Sequence, residues 1–192
     1  RQHHLALAGE LLSESAVAGY GAALEEDLGT IAAILEAIRL LGRAPDEAMS
    51  LVSGFGEVWS ARLLATLLGE RGRSGGWLHA GEVLTVRHSE LGPVVLWDDC
   101  RARLADRLPP EGDAVLVVTG YVARAEDGTP STLGRNGSDF SASIFAVLLE
   151  AAEVVIWTNV DGVMSGDPGS ISDATVIPEL SYHEAMELAY FG

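Results

Sequence analysis

The stretch TLGRNGSDFSA at residues 132–142 places glycines, an arginine, a serine and an aspartate directly before an apolar run. Glycines let backbone N–H groups approach a ligand closely, and a helix start carries the positive end of the helix dipole, so an anion fits there. Arg135 can hold a carboxylate through two parallel hydrogen bonds, and Asp139 can position a cation or another charged side chain. We predict that Ser138 caps the helix. A capped helix after a glycine turn, with Arg135 in solvent, explains the same residues without a ligand.

A second polar group, TNVDGVMSGDPGS at residues 158–170, follows the apolar stretch AEVVIW. We predict that the apolar stretch is a buried strand, and open α/β sheets bind ligands at the carboxyl ends of such strands. The residues that would hold a nucleotide or a metal there are Thr158, Asn159, Asp161 and Gly162. Turn chemistry at the Asp-Gly and Asp-Pro-Gly sequences is an equally sufficient explanation.

A third candidate is Glu57, which lies in the sequence GFGEVWSARL between two glycines and a predicted helix. Its carboxylate can pair with the ammonium group of a substrate, or it can simply stabilise the start of the helix through the dipole. The five histidines do not have metal-ligand spacing, so no metal site within the protein is expected. Cys100 lies beside two aspartates, which raise the pKa of a thiol, and a structural role is expected for it.

The composition excludes several classes of partner. The net charge is −16 and all 12 basic residues are arginines scattered along the chain, so binding to nucleic acid or to anionic membranes is not expected. The apolar runs are shorter than a membrane span, and the 192 residues can bury one sizeable core. A single cysteine and the lack of a recognisable leader predict a soluble cytoplasmic protein.

Helical and strand-like patterns alternate along the chain. Residues 1–42 are predicted as helix ending at Gly42, a short helix follows Pro45, and a glycine turn then leads into a further helix. Strands are predicted at 77–80, 82–86 and 114–120, with a helix between the last two, and Ser181 and Glu184 have capping-box spacing before a final helix. The pattern predicts an α/β fold, a three-layer α/β/α sandwich with a mainly parallel central sheet.

Taken in order, the segments GFGEVWSA, VVTGYVA, TLGRNGSDFSA, IWTNVDGV and LSYHEAMELAYFG resemble the aspartokinases of the amino acid kinase family. The resemblance runs from about residue 50 to the end. Residues 1–49 resemble a helical insert that such enzymes carry, and residues 50–192 resemble the kinase core, incomplete at both ends. The likeness is to a catalytic-domain fragment of a longer, possibly bifunctional enzyme.

The resemblance implies ATP-dependent phosphorylation of the side-chain carboxylate of L-aspartate, with Mg²⁺ bridging the ATP phosphates, in the synthesis of lysine, threonine and methionine. By matching position, Arg135 would hold the substrate α-carboxylate, Glu57 would face its ammonium group, Ser138 would help to seat it, and Asp139 would organise the catalytic groups. A homo-oligomer is expected. The residues implied in nucleotide binding are Thr158, Asn159, Asp161, Gly162, Met164 and Asp167.

The sequence departs from the family pattern at Asn159, Met164 and Gly169, where Asp, Tyr and Arg are usual. These changes are expected to weaken or alter nucleotide binding. The family also uses lysines to neutralise the phosphoryl group, and this chain contains none, so we expect negligible turnover from the isolated polypeptide. Two alternatives remain: a relative that phosphorylates another acidic amino acid, and a non-catalytic module for amino-acid binding or assembly.

Overall fold

Three helices precede the first strand in the computed structural model, which describes residues 1–90, 92–108, 115–158 and 160–191. They are α1 (Gln2–Leu11), α2 (Glu14–Leu41) and α3 (Asp46–Glu70). Ser13 caps α2 by accepting a hydrogen bond from the N–H of Ala16. Gly42 ends α2 in the left-handed conformation with φ 67°, which glycine adopts without steric cost, so the predicted end of this helix is confirmed.

The predicted glycine turn before Glu57 is wrong, because α3 is one continuous helix through Gly54 and Gly56. Gly54 is buried, and a Cβ at this position would lie 2.6 Å from Cγ1 of Val122. The glycine therefore permits close packing of the helix and does not end it. As a consequence, Glu57 projects from the middle of a long helix.

Two sheets follow the helices. In the first, β1 (Ser74–Leu78) pairs in parallel with β4 (Val115–Val118). The second has the order β3-β2-β5-β6, in which β2 pairs in parallel with β5 and the two outer pairs are antiparallel. Its strands are β2 (Thr85–Ser89), β3 (Gly92–Val95), β5 (Val122–Ala125) and β6 (Pro130–Thr132). The predicted α/β fold class is confirmed, with one parallel and one mixed sheet.

The remaining elements are α4 (Trp97–Ala105), α5 (Gly137–Leu148) and α6 (Tyr182–Phe191), with a short 3-10 helix at Ala80–Glu82 where the start of a strand is predicted. The main core cluster joins the second sheet to α4 and α5 and includes Cys100, which is fully buried. Burial is the largest cause that raises the pKa of the Cys100 thiol. Both observations agree with a structural role for this residue.

By length and composition α3 could cross a membrane, since it has 25 residues and contains an 18-residue stretch with a mean hydropathy of 1.2. The helix contacts β1, β4, β5 and β6, and Phe55, Val58 and Leu63 on it are buried. A core helix of an α/β protein has the same properties, and the packing of α3 on both sheets accounts for its apolar composition.

The predicted buried strand at residues 152–157 is wrong. Val154, Ile156 and Trp157 are 47%, 53% and 92% exposed, and this segment has no regular secondary structure. Among the described residues no strand pairs with it. Within this segment the chain divides into two compact units, residues 1–154 and residues 155–192.

Candidate functional site

An open polar pocket of about 450 Å³ lies in the first unit. We call it the polar pocket. Its residues come from α3, from the turn between β4 and β5, and from the loop that leads into α5. They are Ser53, Glu57, Tyr121, Gly134, Asn136, Gly137, Ser138 and Asp139. The structure therefore brings together three residues predicted to form a site, namely Glu57, Ser138 and Asp139.

Glu57 and Ser138 are in direct contact across the polar pocket. The Ser138 hydroxyl donates a hydrogen bond to Oε1 of Glu57 at 3.3 Å, although the two residues are 81 positions apart. Gly120 lies beneath this pair: a Cβ at this position would be 2.7 Å from Ser138 Oγ and 3.1 Å from Glu57 Oε2. The absence of a side chain at Gly120 therefore allows a carboxylate and a hydroxyl to meet at the wall of the pocket.

The start of α5 differs from the prediction that Ser138 caps the helix. Asn136 occupies the N-cap position in the left-handed conformation with φ 56°, Gly137 is the first helical residue, and Ser138 is the second. This placement leaves the Ser138 side chain available for Glu57 instead of for the backbone of its own helix. The first-turn N–H groups of a helix lack partners within the helix, so the pocket wall offers hydrogen-bond donors as well as a carboxylate.

Tyr121 and Ser53 belong to the polar pocket, and sequence reasoning missed both. Tyr121 has a positive φ of 64°, which is unusual for a bulky residue, and its hydroxyl lies 3.3 Å from Ser53 Oγ. Its backbone N–H donates to Ser141 Oγ at 3.3 Å, and its ring packs so closely on Gly137 that a Cβ there would be 2.8 Å from Cδ2. Ser53 precedes Glu57 by one helical turn, a signal that becomes visible only once α3 is known to be continuous.

Arg135 lies in the loop before α5, between two residues that line the polar pocket, but it does not line the pocket itself. Its side chain is exposed and forms no ion pair with any residue that the structure describes. Asp139 is exposed in the first turn of α5, where a carboxylate is stabilised by the helix dipole. Within the described part of the chain, the Arg135 guanidinium thus has no carboxylate as ion-pair partner.

The predicted nucleotide-binding residues belong to residues 155–192. One of them, Asn159, is outside the described residues. Thr158 and Asp161 are exposed, whereas Met164 is half-buried and bridges to Val176. Gly162 is also half-buried, and a Cβ there would lie 3.2 Å from Cγ1 of Val176.

Asp167 forms the predicted turn at Asp-Pro-Gly. Its carboxylate accepts hydrogen bonds from the Gly169 N–H and from the Ser170 hydroxyl, each at 2.9 Å. The Gly169 backbone bond and then the Ser170 bond lower the pKa of Asp167 below its ordinary value. In this structure the carboxylate therefore stabilises its own turn, and Gly169 supplies no side chain that reaches beyond it.

For metal ions, no group of three or more His, Cys, Asp or Glu side chains suited to binding occurs within residues 1–90, 92–108, 115–158 and 160–191. A magnesium ion does not need such a group, because it usually keeps several waters and is bound through one or two carboxylates and the phosphates of a substrate. Asp139, exposed beside the polar pocket, is a carboxylate of the kind that this mode requires.

Comparison with known proteins gives a consistent result. The model of the amino acid kinase family matches residues 9–192. The chain is 37% identical over its whole length to bifunctional aspartokinase/homoserine dehydrogenase 2 from Zea mays, and 38% identical over 87% of its length to bifunctional aspartokinase/homoserine dehydrogenase 2 from Escherichia coli. It spans only about a fifth of the length of these curated relatives.

Among solved structures, E. coli aspartokinase III in complex with aspartate and ADP matches with a TM-score of 0.77 and 31% identity, over 88% of this chain and 38% of that protein. The complex of the same enzyme with lysine and aspartate matches with a TM-score of 0.75 and 30% identity, over 92% of this chain and 39% of that one. With the family match covering almost the entire sequence, this chain belongs to the amino acid kinase family.

Proposed function

We propose that this chain is part of an aspartate kinase, which transfers the γ-phosphoryl group of ATP to the side-chain carboxylate of L-aspartate and forms 4-phospho-L-aspartate. The observation that carries the proposal is the contact between Glu57 and Ser138, which places an anionic and a hydroxyl group together at the helix start of α5. The similarity to a solved aspartokinase that binds aspartate and ADP supports it.

In this proposal the polar pocket binds the amino acid. The Glu57 carboxylate pairs with the α-ammonium group, Ser138 donates to the substrate, and Arg135 turns from the pocket edge to grip the α-carboxylate through two hydrogen bonds. Asp139 organises the groups that surround the reacting carboxylate. Phosphoryl transfer depends mainly on positioning and on neutralising charge, which a pocket without a nucleophile can supply.

ATP is assigned to the second unit, through Thr158, Asn159, Asp161, Gly162, Met164 and Asp167. When bound, Mg²⁺ neutralises charge on the phosphates of ATP. We further propose that residues 1–49 are a helical insert, although α3 spans the boundary with the kinase core at residue 50. We also propose that the whole enzyme is a cytoplasmic homo-oligomer that acts in the synthesis of lysine, threonine and methionine.

Binding is the appropriate test, because the chain spans a fifth of its relatives and has no lysine to neutralise a phosphoryl group. Calorimetric titration of the 192-residue chain with L-aspartate, L-glutamate and N-acetyl-L-glutamate compares the three acids directly. We expect L-aspartate to bind most tightly, since an acetylated amino acid has no ammonium group for Glu57.

The variant Glu57→Gln should weaken the binding of L-aspartate at least about tenfold, because a hydrogen bond to a charged group contributes about 1.5–3 kcal/mol. Glu47→Gln is the matched control, since Glu47 is exposed in the first turn of the same helix, outside the polar pocket. Unchanged affinity in Glu57→Gln, or tighter binding of N-acetyl-L-glutamate, would show that the polar pocket does not bind L-aspartate in this way.

A further inference from the structure

A second cavity, of about 270 Å³, lies on another side of α3 and shares no lining residue with the polar pocket. We call it the α3–β5 cavity. Its walls are α3, the end of β1, the 3-10 helix and the hairpin formed by β5 and β6. Its apolar and charged lining includes Phe55, Val58, Arg62, Glu82, Val122 and Arg124.

The inner part of the α3–β5 cavity is apolar. Phe55, Val58 and Val122 are 9%, 5% and 4% exposed, and the close approach of Gly54 to Val122 closes the floor. A water molecule takes about 30 Å³ of liquid volume, so the cavity has room for about nine non-hydrogen atoms. These properties suit one ring or a short branched chain.

One charged group at the wall of this cavity has no ion-pair partner among the described residues. Arg124 has a buried Nε without a hydrogen-bond partner, and its guanidinium lies so close to Gly128 that a Cβ there would be 2.5 Å from Nη2. Asp99 and Asp127 lie near enough for the charge of Arg124 to help lower their pKa. Their hydrogen bonds go elsewhere, however: Asp99 accepts from Arg103 at 3.0 Å, and Asp127 accepts from the Thr129 N–H at 2.9 Å. A ligand with a carboxylate can therefore supply the hydrogen-bond acceptor that the Arg124 guanidinium lacks.

The other charged side chains of the cavity are already paired. Arg62 forms an ion pair with Asp27, and Glu82 forms one with Arg107. His79 accepts the Gly81 N–H at Nδ1, and burial, followed by the charge of Arg62, lowers the pKa of His79, so the ring is neutral at pH 7. Arg124 therefore dominates the charge that this cavity presents, in a protein whose net charge is −16.

Arg124 is half-buried and its Nε is buried without an acceptor, so a carboxylate that accepts two hydrogen bonds from the guanidinium stabilises it. We infer that the α3–β5 cavity binds a small carboxylic acid with an apolar body, whose carboxylate pairs with Arg124 and whose body packs on Phe55, Val58 and Val122. This site is separate from the polar pocket and does not depend on the function proposed for it.

Phenylacetate is a suitable probe, because it carries one ring and one carboxylate. Titrated into the ¹⁵N-labelled 192-residue chain, it should shift the Arg124 Nε–H resonance in a saturable manner, and phenylacetamide should bind at least about tenfold more weakly. Saturating L-aspartate should not displace it, since the two cavities share no residues. Equal binding of phenylacetamide would overturn the inference. So would the absence of a shift at about 10 mM phenylacetate, a concentration that detects weak fragment binding.

Two variants separate the charge from the shape of the site. Arg124→Gln should abolish the preference for phenylacetate over phenylacetamide, and Arg73→Gln, at an exposed arginine outside the cavity, should leave it unchanged. Ser50→Leu places a larger side chain at the cavity wall while keeping Arg124, so it should weaken both probes even if Arg124→Gln does not fold. Phenylacetate binding that survives both Arg124→Gln and Ser50→Leu would place the ligand elsewhere.

Discussion

The polar pocket is built from residues far apart in the chain, whereas the hydrogen bonds within residues 155–192 join residues two to about 14 positions apart. Ser53 and Tyr121 are 68 positions apart and Glu57 and Ser138 are 81 apart. In the second unit, Asp167 bonds to residues two and three positions away, and Ser181 bonds to Glu184. The first region therefore exists only when helices and sheets are correctly packed, and the second depends on turns and on the short bridge between Met164 and Val176.

The largest expected effect concerns the packing that holds α3 in place. Gly54→Ala puts a methyl group 2.6 Å from Cγ1 of buried Val122, whose branched side chain has little freedom to move. We expect the free energy of unfolding to fall by about 1–2 kcal/mol, after allowing for about 1 kcal/mol of improved helix propensity. Urea denaturation followed by circular dichroism measures the change.

Gly56→Ala is the matched control for this prediction. Gly56 lies two residues further along α3, and a Cβ there meets nothing within 4 Å. Alanine should therefore raise the free energy of unfolding by about 0.5–1 kcal/mol. If both variants were more stable than the wild type, the close contact between Gly54 and Val122 would not constrain the packing of the first unit.

The next effect concerns the polar pocket itself. Gly120→Ala places a methyl group against both Ser138 Oγ and Glu57 Oε2, so the two groups must separate. We expect L-aspartate to bind about tenfold more weakly, equivalent to about 1.4 kcal/mol, with the unfolding transition remaining cooperative. Calorimetric titration measures the affinity, and Gly56→Ala again serves as control. Equal affinities in the two variants would show that the contact between Glu57 and Ser138 is not needed to bind L-aspartate.

A smaller and local effect is expected at α6. The Ser181 hydroxyl accepts the Glu184 N–H and the Ser181 N–H donates to the Glu184 carboxylate, which forms the predicted capping box. The Ser181 hydroxyl also donates to the same carboxylate. Ser181→Ala should speed hydrogen exchange of the first-turn amides of α6 and leave the amides of α3 unchanged. Slower or altered exchange in α3 would show that the contacts of residues 155–192 are not local.

The smallest effect is a pH dependence at the same cap. The Ser181 hydroxyl, followed by the Ser181 N–H, lowers the pKa of Glu184. A carboxyl with a lowered pKa in the folded state stabilises that state above its ordinary pKa, and the contribution is lost as the pH falls through the lowered pKa. In Ser181→Ala the pKa of Glu184 should rise toward its ordinary value, which an NMR titration of the Glu184 side-chain carbonyl detects.

The parts of the fold that sequence predicts well are those with local causes. Gly42 ends α2 because only a left-handed residue fits there, and the capping box begins α6 because its partners are three residues apart. The strand predicted at residues 152–157 fails for the opposite reason. Its apolar composition is suited to a strand, but a strand requires a pairing partner, which composition does not reveal.

The same distinction applies to the candidate site. Arg135, Ser138 and Asp139 are visible because they adjoin a glycine-rich helix start, and Glu57 is visible because it follows two glycines. The roles of Gly54 and Gly120 depend on what faces them, since each leaves room for a side chain from a distant part of the chain. Tyr121 lies in the segment VVTGYVA, but its positive φ and its contact with Ser53 arise only from the folded backbone.

Helix α3 is a wall shared by two cavities. Ser53 and Glu57 line the polar pocket, and Gly54 and Val58, each one position later, line the α3–β5 cavity. Successive residues of an α-helix are separated by about 100° around its axis, so the insertion or deletion of one residue before this turn would rotate both linings away from their cavities at once. The number of residues between Pro45 and Glu57 is therefore constrained more strictly than the identity of most of them.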